Sequence, residues 1–402
     1  MNGKQFTGKK IWALTGPALV AGVAYLDPGN VATNISAGTH YGYTLLWVLL
    51  LANAIAWLVQ YLAAKLGLAT NKSLTRLMGE RFKSPVSRFL YWLQAQAIAI
   101  ATDLAEIIGG AIALNLMFGI PLFIGCLITA AIATGLLYYQ AKGRAKTFEL
   151  VIIGLIALTA IGFVTSMLLA PVGMTLTPAE IDYAGEGVVL LALGVLGATI
   201  MPHAVYVHSA LSSDRLGVLG KKSLVRVIRI DVTIAMVIAG AVNVSLLVLG
   251  AKLGASASNG DAIGAAFAAL GNSSQVLATL FALGLFASSL ASTSVGTYAG
   301  DVILDGLGLK RPLPIFVRQL ITLLPAMLIL TGNTNPTDVL VLSQIFLSFG
   351  IPFALFPLIR LTSDKKIMGK FTNASHTKWI GYTIAGSLTA LNLYSIVSVF
   401  SA

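Results

Sequence analysis

Two stretches decide how this chain folds: Ala24-Tyr25-Leu26-Asp27-Pro28-Gly29-Asn30 and Gly197-Ala198-Thr199-Ile200-Met201-Pro202-His203. Each interrupts an apolar run near its middle. Proline removes a helix donor and clashes with the preceding turn, glycine costs about 1 kcal/mol in a helix interior, and an ionisable residue at bilayer depth costs at least about 2.5 kcal/mol. Such liabilities side by side mark a helix that is broken rather than bent. A lone proline, such as Pro17 or Pro325, reads as a kink.

Outward from these breaks the chain is apolar. Its 402 residues are 57% hydrophobic and only 10% charged, with a mean hydropathy of +0.87, whereas soluble chains carry about 25% charge. The apolar runs last about 20 residues, too long for barrel strands, so the fold class is an all-α membrane protein. Eleven transmembrane spans are predicted, near 11–38, 44–68, 87–117, 121–140, 148–170, 187–211, 226–251, 274–300, 314–331, 336–359 and 379–400. Residues 256–273 read as a loop with a short helix. Lys4, Lys9 and Lys10 before an apolar run ending at Gly22-Val23-Ala24 imitate a signal peptide. The apolar run resumes after Asn30, so the segment is expected to stay as the first span.

Charge tests the count. With the N-terminus cytoplasmic and each span flipping the side, cytoplasmic loops and adjoining span ends hold every Lys and Arg of the 26 except Lys252, as the positive-inside bias requires. The outer loop 171–186 is acidic instead. This predicts a multi-pass protein of the inner (cell) membrane with an external C-terminus. It also explains the net charge of +11 without nucleic acid, for which no binding motif is present. The single cysteine, Cys126, excludes an internal disulfide and a thiolate cage.

Asp27 and Met201 are 174 positions apart, and spans one and six start 176 apart, at 11 and 187. The breaks therefore occupy equivalent places in two five-span halves. Five is odd, so the halves have opposite topology, and matched interruptions in inverted halves point to a transporter's central site. The chain reads as one transmembrane domain: 11–170 as the first five-helix repeat, 187–360 as the inverted second, and 379–400 as an extra helix.

The residues at the breaks suit a cation. Asp27 supplies an anionic oxygen, Asn30 an amide oxygen, Ala24 and Ala198 backbone carbonyls where the helices unwind, and Met201 a thioether; Gln344 in span ten can complete the shell. One carboxylate, neutral oxygens and a sulfur favour Mn, Fe, Co or Cd over Mg and Ca, which prefer oxygen alone. His203 and His208 lack the i, i+4 spacing of a zinc enzyme and suit proton relay or gating, with a packing role as the bland alternative. Gln96, Asp103 and Glu106 share one face of span three. Two acids three residues apart repel when both are ionised, and with Arg318 of span nine they form either a proton path or a static buried ion pair. Asn53 and Asn243 are single amides that could gate or glue helices, and Asp231 is expected to pair with Arg226 or Arg229. Other classes remain open: a sodium-coupled amine or amino-acid carrier, a metal channel, and a membrane enzyme, for which no nucleophile–base arrangement or nucleotide loop is found.

Asp27-Pro28-Gly29-Asn30 with Met201-Pro202-His203 resembles the signature pairs of the Nramp (natural resistance-associated macrophage protein) family. Asp103-Leu104-Ala105-Glu106-Ile107-Ile108-Gly109 is similar to its third span, and Ser343-Gln344 followed by Leu347-Ser348-Phe349-Gly350-Ile351-Pro352-Phe353 to its tenth. The resemblance implies a LeuT-like 5+5 inverted repeat and proton-coupled uptake of Mn²⁺ and Fe²⁺, with Cd²⁺ and Co²⁺ as further substrates, no cofactor and no obligatory protein partner. By position it implies Asp27, Asn30, Ala24, Ala198, Met201 and Gln344 around the metal. His203, Asp103, Glu106 and Arg318 fall along the proton route. Gln96, where relatives often carry an acid, and Arg318-Gln319, where relatives can carry two arginines, depart from the pattern. Met201 separates the chain from a magnesium-transporting branch that lacks it.

Overall fold

The computed structural model describes residues 17–141, 145–171, 186–213, 221–254, 261–308, 315–332 and 334–401. Among them it is helical without strands. The helices are α1 (Pro17–Gly22), α2 (Pro28–Tyr41), α3 (Leu46–Thr70), α4 (Leu74–Arg81), α5 (Pro85–Phe118), α6 (Leu122–Ala141), α7 (Ala145–Leu169), α8 (Glu186–Thr199) and α9 (Pro202–Ser213). They continue with α10 (Lys221–Leu253), α11 (Ala262–Ser273), α12 (Gln275–Gly306), α13 (Ile315–Thr331), α14 (Pro336–Ser348), α15 (Ile351–Thr362), α16 (Lys365–Met368) and α17 (Ser375–Ser401). A single 3₁₀ turn, Val23–Leu26, joins α1 to the break before α2.

Among the described residues the predicted spans coincide with helical segments, the sixth divided between α8 and α9 and the tenth between α14 and α15, while residues 11–16 of the first lie outside the described residues. Among the described residues, eight helical segments are long and apolar enough to cross a membrane by length and composition. The predicted first span is split between α1 and α2, and those at 121–140 and 314–331 fall on shorter apolar stretches, Leu122–Tyr138 and Leu320–Thr331. The loop expected at 256–273 contains α11, a 12-residue helix capped by Asp261, whose carboxylate accepts the Gly264 N–H.

The polarity of the molecule is turned inside out. Large apolar side chains such as Trp47, Leu150, Val237 and Leu328 are exposed, while Asp27, Asn30, Glu106, His203 and Gln344 are buried. In water this would leave apolar surface wet and polar groups desolvated; in lipid both are reasonable. The interior is organised around α2, α8, α9 and α12. α10 packs along α2, α3 along α9, α14 along α8, and α5 and α7 along α12. Close crossings rely on glycine. A Cβ on Gly38 would strike the Leu247 carbonyl of α10, and one on Gly250 would strike the Ile35 carbonyl of α2, so the two helices meet backbone to backbone as small residues allow. Asp231 of α10 accepts the Ala18 N–H at 3.1 Å, which fastens the start of α1 to the same helix.

Gly38→Leu or Gly250→Leu should therefore destabilise the protein by about 1–3 kcal/mol or more through overpacking. Thermal unfolding in mild detergent should show a lowered midpoint for both. Gly386→Ala, where a Cβ meets nothing within 4 Å, should leave it unchanged or slightly raised.

Candidate metal centre

The first break follows from local chemistry. A residue before proline is pushed to extended backbone, and Asp27 has φ −67° and ψ 163°. Aspartate also favours the N-cap, and proline the first helical position. Asp27 accordingly caps α2: its Oδ1 accepts the Asn30 N–H at 2.7 Å and the Asn30 side-chain amide at 2.9 Å. Asn335-Pro336 starts α14 in the same manner, Asn335 accepting the Thr337 N–H at 2.9 Å.

The second break separates α8 from α9 at Ile200-Met201. Thr199 Oγ1 donates to the Val195 carbonyl at 2.7 Å, Ile200 N–H still reaches Leu196 at 2.8 Å, and Pro202 opens α9. A proline cannot donate to the carbonyl four residues before it. For Pro202 that carbonyl belongs to Ala198, and for Pro28 it belongs to Ala24. The two alanines singled out as carbonyl donors thus stand where each proline withholds a helix bond. The Ala198 carbonyl accepts the Asn30 amide at 2.7 Å, joining the two breaks directly.

Gln344 of α14 closes the group. Its Nε2 lies 3.4 Å from Asp27 Oδ2 and 3.1 Å from Ser343 Oγ. Its side chain occupies the space a Cβ on Gly29 would need, and its carbonyl the space of a Cβ on Gly197. Glycine is required at both breaks for α14 to approach. Asp27, Asn30, Gln344 and the Ala198 carbonyl are therefore gathered in one buried cluster. Met201 and Ala24 are buried within the breaks themselves. Both amides turn N–H toward the carboxylate, and the Asn30 Oδ1 and Gln344 Oε1 atoms are buried without a hydrogen-bond partner. Two orphan oxygens beside a buried carboxylate form an acceptor-rich pocket that a cation would satisfy once the amides rotate. Among the described residues no group of three or more His, Cys, Asp or Glu could hold a metal, and Asp27 is the charged member of this cluster.

The other singled-out residues separate into groups. Asp103 and Glu106 of α5 converge on α12: a Cβ at Gly296 would meet Asp103 Oδ1 at 2.7 Å and Glu106 Oε2 at 3.2 Å. Ser292 and Thr293 flank the Glu106 carboxyl, which is also within electrostatic reach of Asp27. His203 is buried in the first turn of α9, neither ring nitrogen having a hydrogen-bond partner. Gln96 is half-buried on the same helix as the two acids. Arg318 lies on α13, and its side chain is outside the described residues. Asn53 donates to the Met236 carbonyl at 3.3 Å, tying α3 to α10. Asn243 instead donates to the Tyr25 carbonyl at 3.1 Å, inside the 3₁₀ turn that precedes Asp27.

Three further residues escaped the sequence reading, two at the unwound turn and one beside the acid pair. Ser288 donates to the Leu26 carbonyl, and Ser289 to the Glu106 carbonyl at 2.5 Å. Gln60 donates to the Tyr25 hydroxyl and lies 2.6 Å from His208 Nδ1, so His208 is linked to the unwound turn through one amide. Gln60 carries the same signal that drew attention to Asn53, one amide in an apolar span. Ser288 and Ser289 begin a run of small polar residues, Ser288 to Ser294, that betrays a helix facing polar neighbours.

Two discontinuous helices whose breaks meet around a buried carboxylate define a membrane transporter rather than an enzyme. The family model described as natural resistance-associated macrophage protein-like (Nramp) matches residues 18–398, and the chain belongs to this family. It is 48% identical over 398 residues to the divalent metal cation transporter MntH of Mycobacterium tuberculosis (strain CDC 1551 / Oshkosh), covering 96% of this chain and 92% of that one. The crystal structure of the Eremococcus coleocola manganese transporter, in complex with an aromatic bis-isothiourea substituted compound, is similar with a TM-score of 0.84 and 31% identity, over 99% of this chain and 89% of that one. MhsT in complex with L-phenylalanine shares the fold alone, with a TM-score of 0.59, 15% identity, and coverage of 99% of this chain and all (100%) of that one.

Removing an anchor of the unwound turn should leave a buried carbonyl unsatisfied, at a cost of about 1–3 kcal/mol. Asn243→Ala and Ser288→Ala should each lower the thermal midpoint in detergent. Thr279→Ala, which loses only an exposed bond to the Gln275 carbonyl, should not.

Proposed function

We propose that the chain is a proton-coupled secondary transporter that imports divalent transition-metal ions, Mn²⁺ and Fe²⁺ with Cd²⁺ and Co²⁺ as further substrates, by alternating access. The observation that carries this reading is the cluster of Asp27, Asn30, Gln344 and the Ala198 carbonyl, with two buried amide oxygens left without partners. The family relatives are named for divalent metal cations and manganese, and the donor chemistry here agrees with them. Asp27 supplies the charge, the amide and alanine carbonyl oxygens complete a hard shell, and Met201 adds the sulfur that disfavours Ca²⁺ and Mg²⁺. Loading would rotate the Asn30 and Gln344 amides, exchanging N–H for oxygen toward the metal.

Protons take a separate route in this reading. Asp103 and Glu106 meet at Gly296, with His203 buried nearer the metal break, and Arg318 is proposed as the cation at the far end. The eleven spans, the 5+5 inverted repeat with an extra eleventh helix, and a cell-membrane orientation with cytoplasmic N-terminus and external C-terminus belong to the same proposal. They rest on the charge bias of the loops and on the matched positions of the two breaks.

Mn²⁺ uptake into proteoliposomes tests it. Uptake should be faster with the outside at about pH 5.5 than at about pH 7.5, should survive excess Ca²⁺, and should vanish in Asp27→Ala. Uptake indifferent to pH would remove proton coupling and keep the metal site. No Asp27-dependent flux at either pH would sink the metal reading and favour an organic substrate, for which competition by amino acids in place of Cd²⁺ is the discriminating result.

Met201→Ala should keep the oxygen ligands and lose the soft one. Cd²⁺ uptake should fall roughly tenfold, a change of about 1.4 kcal/mol, while Ca²⁺ becomes an effective competitor of Mn²⁺. A variant that still rejects Ca²⁺ would show that selectivity lies elsewhere.

A further inference from the structure

A second polar site lies away from the metal centre, where the C-terminal ends of α4 and α15 meet α17. A cavity of about 680 Å³ opens between α4, α15 and α17, lined by Arg81, Phe82, Phe356, Arg360, Asp364 and Tyr382 among others. That volume is within the range of small-molecule sites, about 300–1,000 Å³. One wall is cationic. Arg81 Nη2 lies 3.2 Å from Asp364 Oδ2, and Asp364 also accepts the Lys366 N–H at 2.9 Å. These contacts, the Lys366 N–H first, hold its carboxyl below the usual carboxylate range. Its charge is answered within the cavity wall. Arg360, exposed in the last turn of α15, has no ion-pair partner among the described residues, so two guanidiniums face one carboxylate and a positive charge is left over.

Aromatic rings line the same cavity. The Phe356 and Tyr382 rings lie with centroids 6.3 Å apart, and Phe356 is 38% exposed. Guanidiniums recognise phosphate oxygens through paired N–H groups. Basic pockets between membrane helices on the cytoplasmic side suit anionic lipid headgroups, whereas a free anion has no use for an aromatic wall.

We propose that this cavity seats the phosphate-bearing headgroup of an anionic phospholipid at the inner membrane surface. Arg81 and Arg360 hold the phosphate, and Phe356 and Tyr382 lie along the glycerol and the start of the acyl chains. The proposal rests on the membrane orientation given above and on nothing in the metal chemistry.

Native mass spectrometry of the whole protein in mild detergent, titrated with phosphatidylglycerol or phosphatidylcholine, tests it independently of any flux. Phosphatidylglycerol should be retained in preference to phosphatidylcholine, and Arg360→Gln should weaken its binding about fivefold. Lys370→Gln, which removes an equal charge from the same surface but not from the cavity wall, should not. Equal loss in both variants would overturn the site in favour of diffuse surface charge. On the wild-type protein, displacement of the lipid by millimolar inorganic phosphate would overturn the lipid in favour of a free anion, and this arm holds even where a variant fails to fold. Unaltered binding in a folded Arg360→Gln protein would overturn the proposal outright.

Discussion

The structure turns on one carboxylate that is buried and still satisfied. Asp27 sits at a depth where an ionised group without partners is prohibitive. It is held there because the chain gives it a helix N-terminus and two side-chain amides at once. The N-cap position brings backbone N–H groups and the positive end of the helix dipole to the same place. A continuous helix could offer neither, since its N–H groups would already be spent on carbonyls one turn earlier. The break is thus what makes the acid tolerable, and the acid in turn needs the break.

The rest of the core follows from keeping that break open. Unwound backbone in lipid must find partners within the protein, and here it does so helix by helix. Asn243 of α10 takes the Tyr25 carbonyl, Ser288 of α12 takes Leu26, and Asn30 takes Ala198 across the gap. Gly29 and Gly197 let α14 press against both breaks, which brings Gln344 within reach of Asp27. Each of these contacts links segments far apart in sequence, so the site exists only in the assembled bundle.

This division explains what was legible in advance. The breaks were readable because Asp-Pro-Gly-Asn and Met-Pro-His violate a strong local rule, and a violation in an apolar run has few bland explanations. The roles of single amides were not readable. Asn53 and Asn243 carry identical signals in the sequence, yet one joins two helices and the other holds the unwound turn. Gln60, which the sequence reading passed over, connects Tyr25 to His208. An amide in a membrane helix announces a partner without naming it, since the partner is a backbone group that any residue could provide. Asp231 shows the same limit for a charge: it accepts the Ala18 N–H at the first turn of α1, a backbone partner that its position in the sequence does not name.

The packing around the breaks also constrains how such a site can move. α9 is tied to the unwound turn through the His208–Gln60–Tyr25 chain, whereas α8 is tied to α2 through Asn30 and the Ala198 carbonyl. The two halves of the second broken helix therefore answer to different neighbours on either side of Met201. Because Pro202 has already removed the bond that would stiffen the junction at Ala198, α9 can change its tilt without unravelling α8, and the contact between Asn30 and the Ala198 carbonyl can persist while it does. A helix broken beside the buried carboxylate is in this sense a hinge at the candidate site: the half before Met201 keeps its hold on α2 through the Ala198 carbonyl, while the half after it answers to Gln60 of α3.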